Sequence, residues 1–279
     1  AAGAASVPFY PSSSLSQVQW IVEDSGAVLA ITESREHSEL VAHLKLQDDG
    51  KPALKNSPSQ LRRILEINSS AIDTLMFEGR ELSDDVVDAR IAATKTDDLA
   101  SLVYTSGTTG RPKGCILTHR NWLAETLGLL TNPIGGIAVP GNHVLTFLPL
   151  AHVLARAVSL AVAMSGASQN HWSDFSTITI EFQRSRPNLI LGVPRVFEKV
   201  RNGAAAKAKE GGPIKAGIFR EAEKVAIEYS RALDTPEGPD RFLRAKRQLF
   251  DRLVYSTIRN AMGGEVRYCI TGGSAMSHD

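Results

Sequence analysis

The chain has 279 residues, 43% of them hydrophobic, enough for one sizeable core or two lobes of an ordinary globular protein. The formal net charge of +1 gives no overall field that would draw in a polyanion, so no nucleic-acid partner is expected. The charge is uneven: residues 1–110 carry 9 Lys/Arg against 16 Asp/Glu, whereas residues 195–260 carry 15 against 9.

A basic C-terminal section suits phosphate-rich ligands or a membrane surface, although charged helices usually present solvated faces, the plainer reading here. Cys115 and Cys269 stand far apart with no CxxC or Cys/His spacing, which argues against a disulfide scaffold or a zinc site and fits a reducing cytosol. No metal ligands are assigned. The longest apolar stretch, "HVLARAVSLAVAMSGA" (152–167), contains Arg156 and is too short to span a bilayer. "AAGAASVPFY" lacks the charged start of a signal peptide, so a cytoplasmic protein is expected.

In chain order, "SSLSQVQWIVEDSG" (13–26) opens on a capping-box pattern, Ser14 with Gln17, and stops at Gly26, which predicts a helix. "AVLAIT" (27–32) reads as a short strand and "ESREHSELVAHL" (33–44) as a second helix. "DLASLVYT" (98–105) reads as a buried strand, "GCILT" (114–118) as another, and "THRNWLAETLGLL" (118–130) as a helix capped by Thr118. "HVLTFLPL", "PNLILGVP" and "EVRYCIT" are further strands bounded by Gly, Pro or Asn. From Pro194 to Met262 the sequence favours long charged helices, broken by "EGGP" and "DTPEGPD". The alternation implies an α/β fold with mostly parallel sheets flanked by helices. No internal repeat or low-complexity linker divides the chain.

Between the two strands ending at Thr105 and starting at Gly114 lies the most unusual stretch, "LVYTSGTTGRPKGCILTH" (102–119). Ten residues after Tyr104 hold three glycines, three threonines, a serine, a proline and two charges, Arg111 and Lys113. Small residues let backbone N–H groups approach an anion, and hydroxyls with one ammonium add donors, the chemistry of a phosphate cradle. The Walker spacing fails, because Lys113 follows Pro112 and precedes Gly114. On composition alone the stretch reads equally as a mobile surface loop.

"YTSGTTGRPKG" resembles the signature loop of the AMP-forming adenylating superfamily, which includes acyl-CoA synthetases, luciferases and adenylation domains of peptide synthetases. "LPLAH" (148–152) and "ITGGSAMS" (270–277) resemble later motifs of that superfamily in the same order. "PNLILGVPRVFEKV" and "FDRLVYSTIRNAMGGEVRYCITGGSAMS" resemble its long-chain fatty acyl-CoA synthetase branch. The resemblance implies part of the large N-terminal domain of the acyl-adenylate-forming fold over residues 1–279, incomplete at both ends and without the small C-terminal domain. It implies ATP, Mg2+ and coenzyme A as cofactor and co-substrates, with a fatty acid as acyl donor.

By the same resemblance, Thr105, Ser106, Gly107, Thr108, Thr109 and Gly110 embrace the β- and γ-phosphates of ATP, beside Lys113 and Gly114. His152 is placed near the acyl carboxylate, orienting it or shaping the acyl channel, against the plainer reading of a structural histidine. Gly272, Gly273 and Ser274 set bare backbone against adenine and the acyl chain, against the plainer reading of a strand-ending turn. The common pattern has an acid before the arginine of this branch; here Ala155 precedes Arg156, whose partner is left open. Trp20, Trp122 and Trp172 read as packing residues, and His119 as the start of a helix.

The adenine-stacking aromatic-Gly-x-Thr-Glu motif, the ribose-binding Asp and the catalytic lysine of the superfamily have no match here, so the chain on its own is expected to be inactive. The implied activity is ATP-dependent conversion of a long-chain fatty acid to an acyl-adenylate and then to acyl-CoA. Two alternatives stay open: a fatty acyl-AMP ligase that loads a carrier protein, and a non-catalytic nucleotide- or acyl-binding module. Peripheral membrane contact is compatible with the basic section, and neither chain length of the acyl group nor oligomeric state is legible.

Overall fold

The structure, a computed structural model, describes residues 3–43, 60–105, 111–132, 135–136 and 138–272. The chain divides into two compact units, residues 1–125 with 150–153, and residues 126–149 with 154–279.

In the first unit, α1 (Leu15–Ser25) begins as its sequence dictates. The Ser14 hydroxyl accepts from the Gln17 backbone N–H at 3.4 Å, and the Ser14 N–H donates to Gln17 Oε1 at 2.9 Å. Gly26 ends it with φ +64°, a left-handed conformation that an L side chain disfavours. Then follow β1 (Leu29–Thr32), α2 (Arg35–Ala42) and β2 (Arg63–Glu66), with β1 and β2 paired in parallel. Val18 and Val22 of α1, Ala30, Val41 and Leu61 form one buried cluster, so the apolar face of α1 closes over this small sheet.

Next come α3 (Ala71–Gly79), α4 (Asp84–Ala93), β3 (Leu99–Thr105) and β4 (Lys113–Thr118). β3 and β4 are antiparallel, Thr105 facing Lys113 and Tyr104 facing Gly114. A connection this short cannot make the crossover that parallel pairing requires. β3 buries Ser101, Val103 and Tyr104, while β4 leaves Cys115 and Ile116 exposed. α5 (His119–Thr131) starts where Thr118 caps it, its hydroxyl accepting from the Asn121 N–H at 3.3 Å.

The second unit is built on four parallel strands, β5 (His143–Thr146), β6 (Ser168–His171), β7 (Leu189–Gly192) and β8 (Tyr268–Thr271), in the order β6-β5-β7-β8. A parallel sheet must be covered on both faces, and alternation along the strands supplies the two faces. Val144, Leu189 and Leu191 pack with Ala155, Val158 and Val162 of α6 (Val153–Ser165). Leu145 and Ile190 point the other way, against Ile178 and Phe182 of α7 (Ile178–Ser185) and Val196 of α8 (Pro194–Glu210). α9 (Pro213–Leu233) follows the Gly211–Gly212 break. α10 (Arg241–Phe250) follows the "DTPEGPD" turn, with Asp240 capping it through a 2.7 Å bond from the Leu243 N–H. A π-helical turn (Asp251–Tyr255) joins α10 to α11 (Ser256–Ala261). No helix among the described residues is long and apolar enough to cross a membrane.

Candidate functional site

The two flanks of the Thr-, Ser- and Gly-rich segment are both tied to α1. On the N-terminal side, Tyr104 Oη donates to Asp24 Oδ2 at 2.7 Å. On the C-terminal side, Trp20 Nε1 donates to the Pro112 carbonyl at 2.8 Å, and the Arg111 guanidinium lies 4.7 Å from the Trp20 ring centroid. These ties fix where the chain leaves β3 and where it enters β4. A Cβ at position 114 would lie 3.1 Å from the Tyr104 ring, so the glycine lets the phenol lie across β4. Burial pushes the Tyr104 phenol far above its ordinary pKa, and the hydrogen bond and charge of Asp24 add to the shift.

Beside these flanks the first unit holds a cavity of about 550 Å³. Tyr104, Thr105, Pro112, Cys115 and His152 line it, with Gln17 and Ile21 of α1. That volume lies in the range of small-molecule sites. Thr105 and Lys113 are exposed at the ends of β3 and β4, and His152 is half-buried immediately before α6. The structure therefore brings Thr105, His152 and the Pro112 end of the segment to one cavity. Ser106, Gly107, Thr108, Thr109 and Gly110 lie outside the described residues.

The second unit offers a separate feature. Its strand order reverses between β5 and β7, because β5 leads on to β6 on one side and β7 leads on to β8 on the other. Ligands of open α/β sheets bind outside the carboxyl ends of strands at such a reversal. At the carboxyl end of β5, Thr146 is 1% exposed and its Oγ1 finds no partner among the described residues; Thr271 Oγ1, at the end of β8, is likewise orphaned. A buried hydroxyl without a partner is costly, so the two at the carboxyl edge of this sheet stand out among the described residues. Gly272 directly follows β8, and a Cβ there would lie 2.7 Å from Leu154 Cδ2. Gly273 and Ser274 lie outside the described residues.

Trp20 adds a hydrogen bond to the packing expected of it, its indole N–H holding the Pro112 carbonyl at the C-terminal flank of the segment. Trp122 is buried and Trp172 donates to the Asp174 carbonyl at 2.9 Å, as packing residues do. Asp24 and Thr146 carried no signal in the sequence. Arg156 lies half-buried in α6, where burial pulls its pKa below the ordinary value. Among the described residues no three His, Cys, Asp or Glu side chains converge as a metal site would need.

The sequence of residues 1–279 matches the AMP-binding enzyme family along its whole length. Long-chain-fatty-acid–CoA ligase FadD15 of Mycobacterium tuberculosis is 40% identical over 280 residues, an alignment covering 99% of this chain and 44% of that protein. Long chain acyl-CoA synthetase 7, peroxisomal, of Arabidopsis thaliana is 31% identical over 189 residues, covering 66% of this chain and 25% of its own length. The chain thus spans less than half the length of these curated relatives. Among solved structures, the A domain of carboxylic acid reductase from Segniliparus rugosus superposes with a TM-score of 0.57 at 20% identity, over 98% of this chain and 41% of that one. The N-terminal domain of FACL13 from Mycobacterium tuberculosis gives 0.54 at 22% identity, over 71% and 46%. Both likenesses concern the fold, the α/β architecture with parallel sheets and flanking helices. The match over residues 1–279 and the 40% identical relative show that the chain belongs to the AMP-binding enzyme family.

Proposed function

We propose that the protein carrying this chain is a long-chain fatty acid–CoA ligase. A fatty-acid carboxylate oxygen attacks the α-phosphorus of ATP, forming an acyl-adenylate as the bond to pyrophosphate breaks. The thiol of coenzyme A then takes the acyl group, and AMP leaves. The observation that carries this reading is the anchoring of both flanks of the "TSGTTG" segment to α1 beside a cavity that His152 lines. The 40% identity to a long-chain-fatty-acid–CoA ligase supports the choice of substrate.

Two anions must meet in the first step, so donors held in place before the reaction offset their repulsion and stabilise the departing pyrophosphate. Thr105, Ser106, Thr108 and Thr109 supply hydroxyls, Gly107, Gly110 and Gly114 allow close backbone approach, and Lys113 supplies a positive charge. His152 orients the carboxylate and is assigned no nucleophilic role. Gly272, which directly follows β8, and the next two residues of the sequence, Gly273 and Ser274, serve adenine and the acyl chain. Mg2+, when bound with ATP, would neutralise phosphate charge, with the Thr105, Ser106, Thr108 and Thr109 hydroxyls beside it. We assign residues 1–279 to part of the large N-terminal domain, with the small domain outside this chain. A cytoplasmic enzyme touching membranes peripherally is the matching location, supported by basic α10 with its exposed Phe242 and Leu249.

The test is fatty-acid-dependent exchange of labelled pyrophosphate into ATP by the protein carrying this chain, followed by acyl-CoA formation once coenzyme A is added. Exchange that follows long-chain acids supports the reading. Exchange with short or amino acids only, or none from folded enzyme, overturns it.

A further inference from the structure

Two cations, Arg111 and Lys113, follow the Thr/Ser/Gly segment in the sequence, and Arg111 takes no part in the roles above. It is exposed, yet it does not simply extend into solvent: its guanidinium lies over the Trp20 ring, 4.7 Å from the centroid. Trp20 is itself held, because its indole N–H donates to the carbonyl of Pro112, the residue after Arg111. Ring and cation are thus tied together through one short stretch of backbone. An arginine fixed in this way has lost part of its rotamer freedom before any ligand arrives, so a contact it then makes needs less ordering.

What the stack leaves unused is the donor set. A ring face attracts the cation but offers no lone pair, and a guanidinium carries five N–H donors. Among the described residues no hydrogen bond or ion pair engages those of Arg111. Glu23 lines the same cleft, but its carboxylate accepts from Gln19 Nε2 at 2.9 Å and forms no ion pair with Arg111. The cleft holds about 320 Å³ and shares two wall residues, Gln17 and Pro112, with the cavity of about 550 Å³ that Thr105 and His152 line. The free donors of Arg111 therefore stand beside that cavity, one residue past the segment that the sequence marks for phosphates.

We propose that Arg111, set by Trp20, is a second cation for the terminal phosphates of ATP and for the pyrophosphate that leaves, working beside Lys113. A planar guanidinium matches two phosphate oxygens at once, which the point charge of an ammonium does not. This role rests on the reading of the Thr/Ser/Gly segment as a nucleotide cradle and adds a residue to which that reading gives no part.

The experiment is equilibrium dialysis of labelled ATP, pyrophosphate and AMP against the protein carrying this chain, as parent, Arg111→Leu, Arg111→Lys and Lys113→Ala. Leucine keeps an apolar side chain against Trp20 and removes the charge, whereas lysine keeps the charge. Arg111→Leu is expected to weaken ATP and pyrophosphate about tenfold, the scale of one charge-assisted contact, and to leave AMP, which lacks the terminal phosphates, unchanged. Arg111→Lys should recover part of that loss, and the loss should shrink as salt is raised. A residue that only shapes the fold would weaken all three ligands alike, so that result overturns the proposal. Unchanged binding of ATP and pyrophosphate in Arg111→Leu overturns it too. The Lys113→Ala arm separates the two readings. If that variant weakens ATP and Arg111→Leu does not, only the role of Arg111 falls. Indifference of both variants, or no binding by the folded parent, removes the nucleotide cradle as well.

Discussion

Tyr104 Oη donates a 2.7 Å hydrogen bond to Asp24 Oδ2 across 80 positions of sequence, tying the last buried residue of β3 to the end of α1. Tyr104→Phe removes that bond while keeping the ring against Gly114. We expect a loss of about 1 kcal/mol in urea unfolding of the first unit, at the low end for a charged acceptor because Asp24 is exposed.

The same pair makes an alkaline signature. The folded phenol titrates above its ordinary value near 10, so its contribution to stability is complete below that pH. As pH rises past 10 the unfolded chain ionises first, and the contribution is lost progressively toward the higher folded value. A pH series of melting temperatures should fall less steeply above 10 in Tyr104→Phe than in the parent; identical slopes would remove Tyr104 from the explanation.

Trp20→Phe keeps an aromatic face for Arg111 but removes the N–H that holds the Pro112 carbonyl. Stability should drop by about 1 kcal/mol. In the complete enzyme the KM for ATP should rise several-fold with a smaller change for the fatty acid. A change confined to stability would reduce Trp20 to a packing role after all.

Thr146→Val deletes a buried hydroxyl that has no partner among the described residues. Unfolding stability should stay level or rise by up to about 1 kcal/mol, because the valine leaves nothing to desolvate. On the proposed function, acyl-adenylate formation should fall in the same variant. Loss of stability would mean that Thr146 is already satisfied without one.

Phe182→Ala tests the packing that holds the sheet edge in place. Phe182 is fully buried between the sheet and its helices, and its removal should cost about 3–5 kcal/mol. Against a domain stability of about 5–15 kcal/mol, urea unfolding of the second unit should shift far more than that of the first.

Much of this architecture is written locally. Ser14 and Gln17 carry a capping box, Gly26 a left-handed stop and Thr118 a cap, so each announces itself within a few residues. The β7 run Leu189–Gly192 is buried on both faces and shows as an unbroken apolar run. β6, "SQNH", and β2, "RILE", gave no such signal, because edge strands of small parallel sheets need little apolar side chain of their own. The resemblance marked the Thr/Ser/Gly segment, but the bonds that hold its flanks join residues 92 and 80 positions apart, and no periodicity links Trp20 to Pro112 or Asp24 to Tyr104. The orphaned hydroxyls of Thr146 and Thr271 exist only once the strands are packed.

Calorimetric titration of the folded 279-residue chain with ATP, alongside Lys113→Ala, tests most directly whether the Thr/Ser/Gly segment holds phosphates. We expect saturable binding, competition by pyrophosphate, and at least about tenfold weakening in Lys113→Ala, the worth of one charge-assisted contact to phosphate. Binding that ignores the Lys113 substitution, or no binding by protein whose circular dichroism is intact, would contradict the assignment of this segment as the nucleotide cradle.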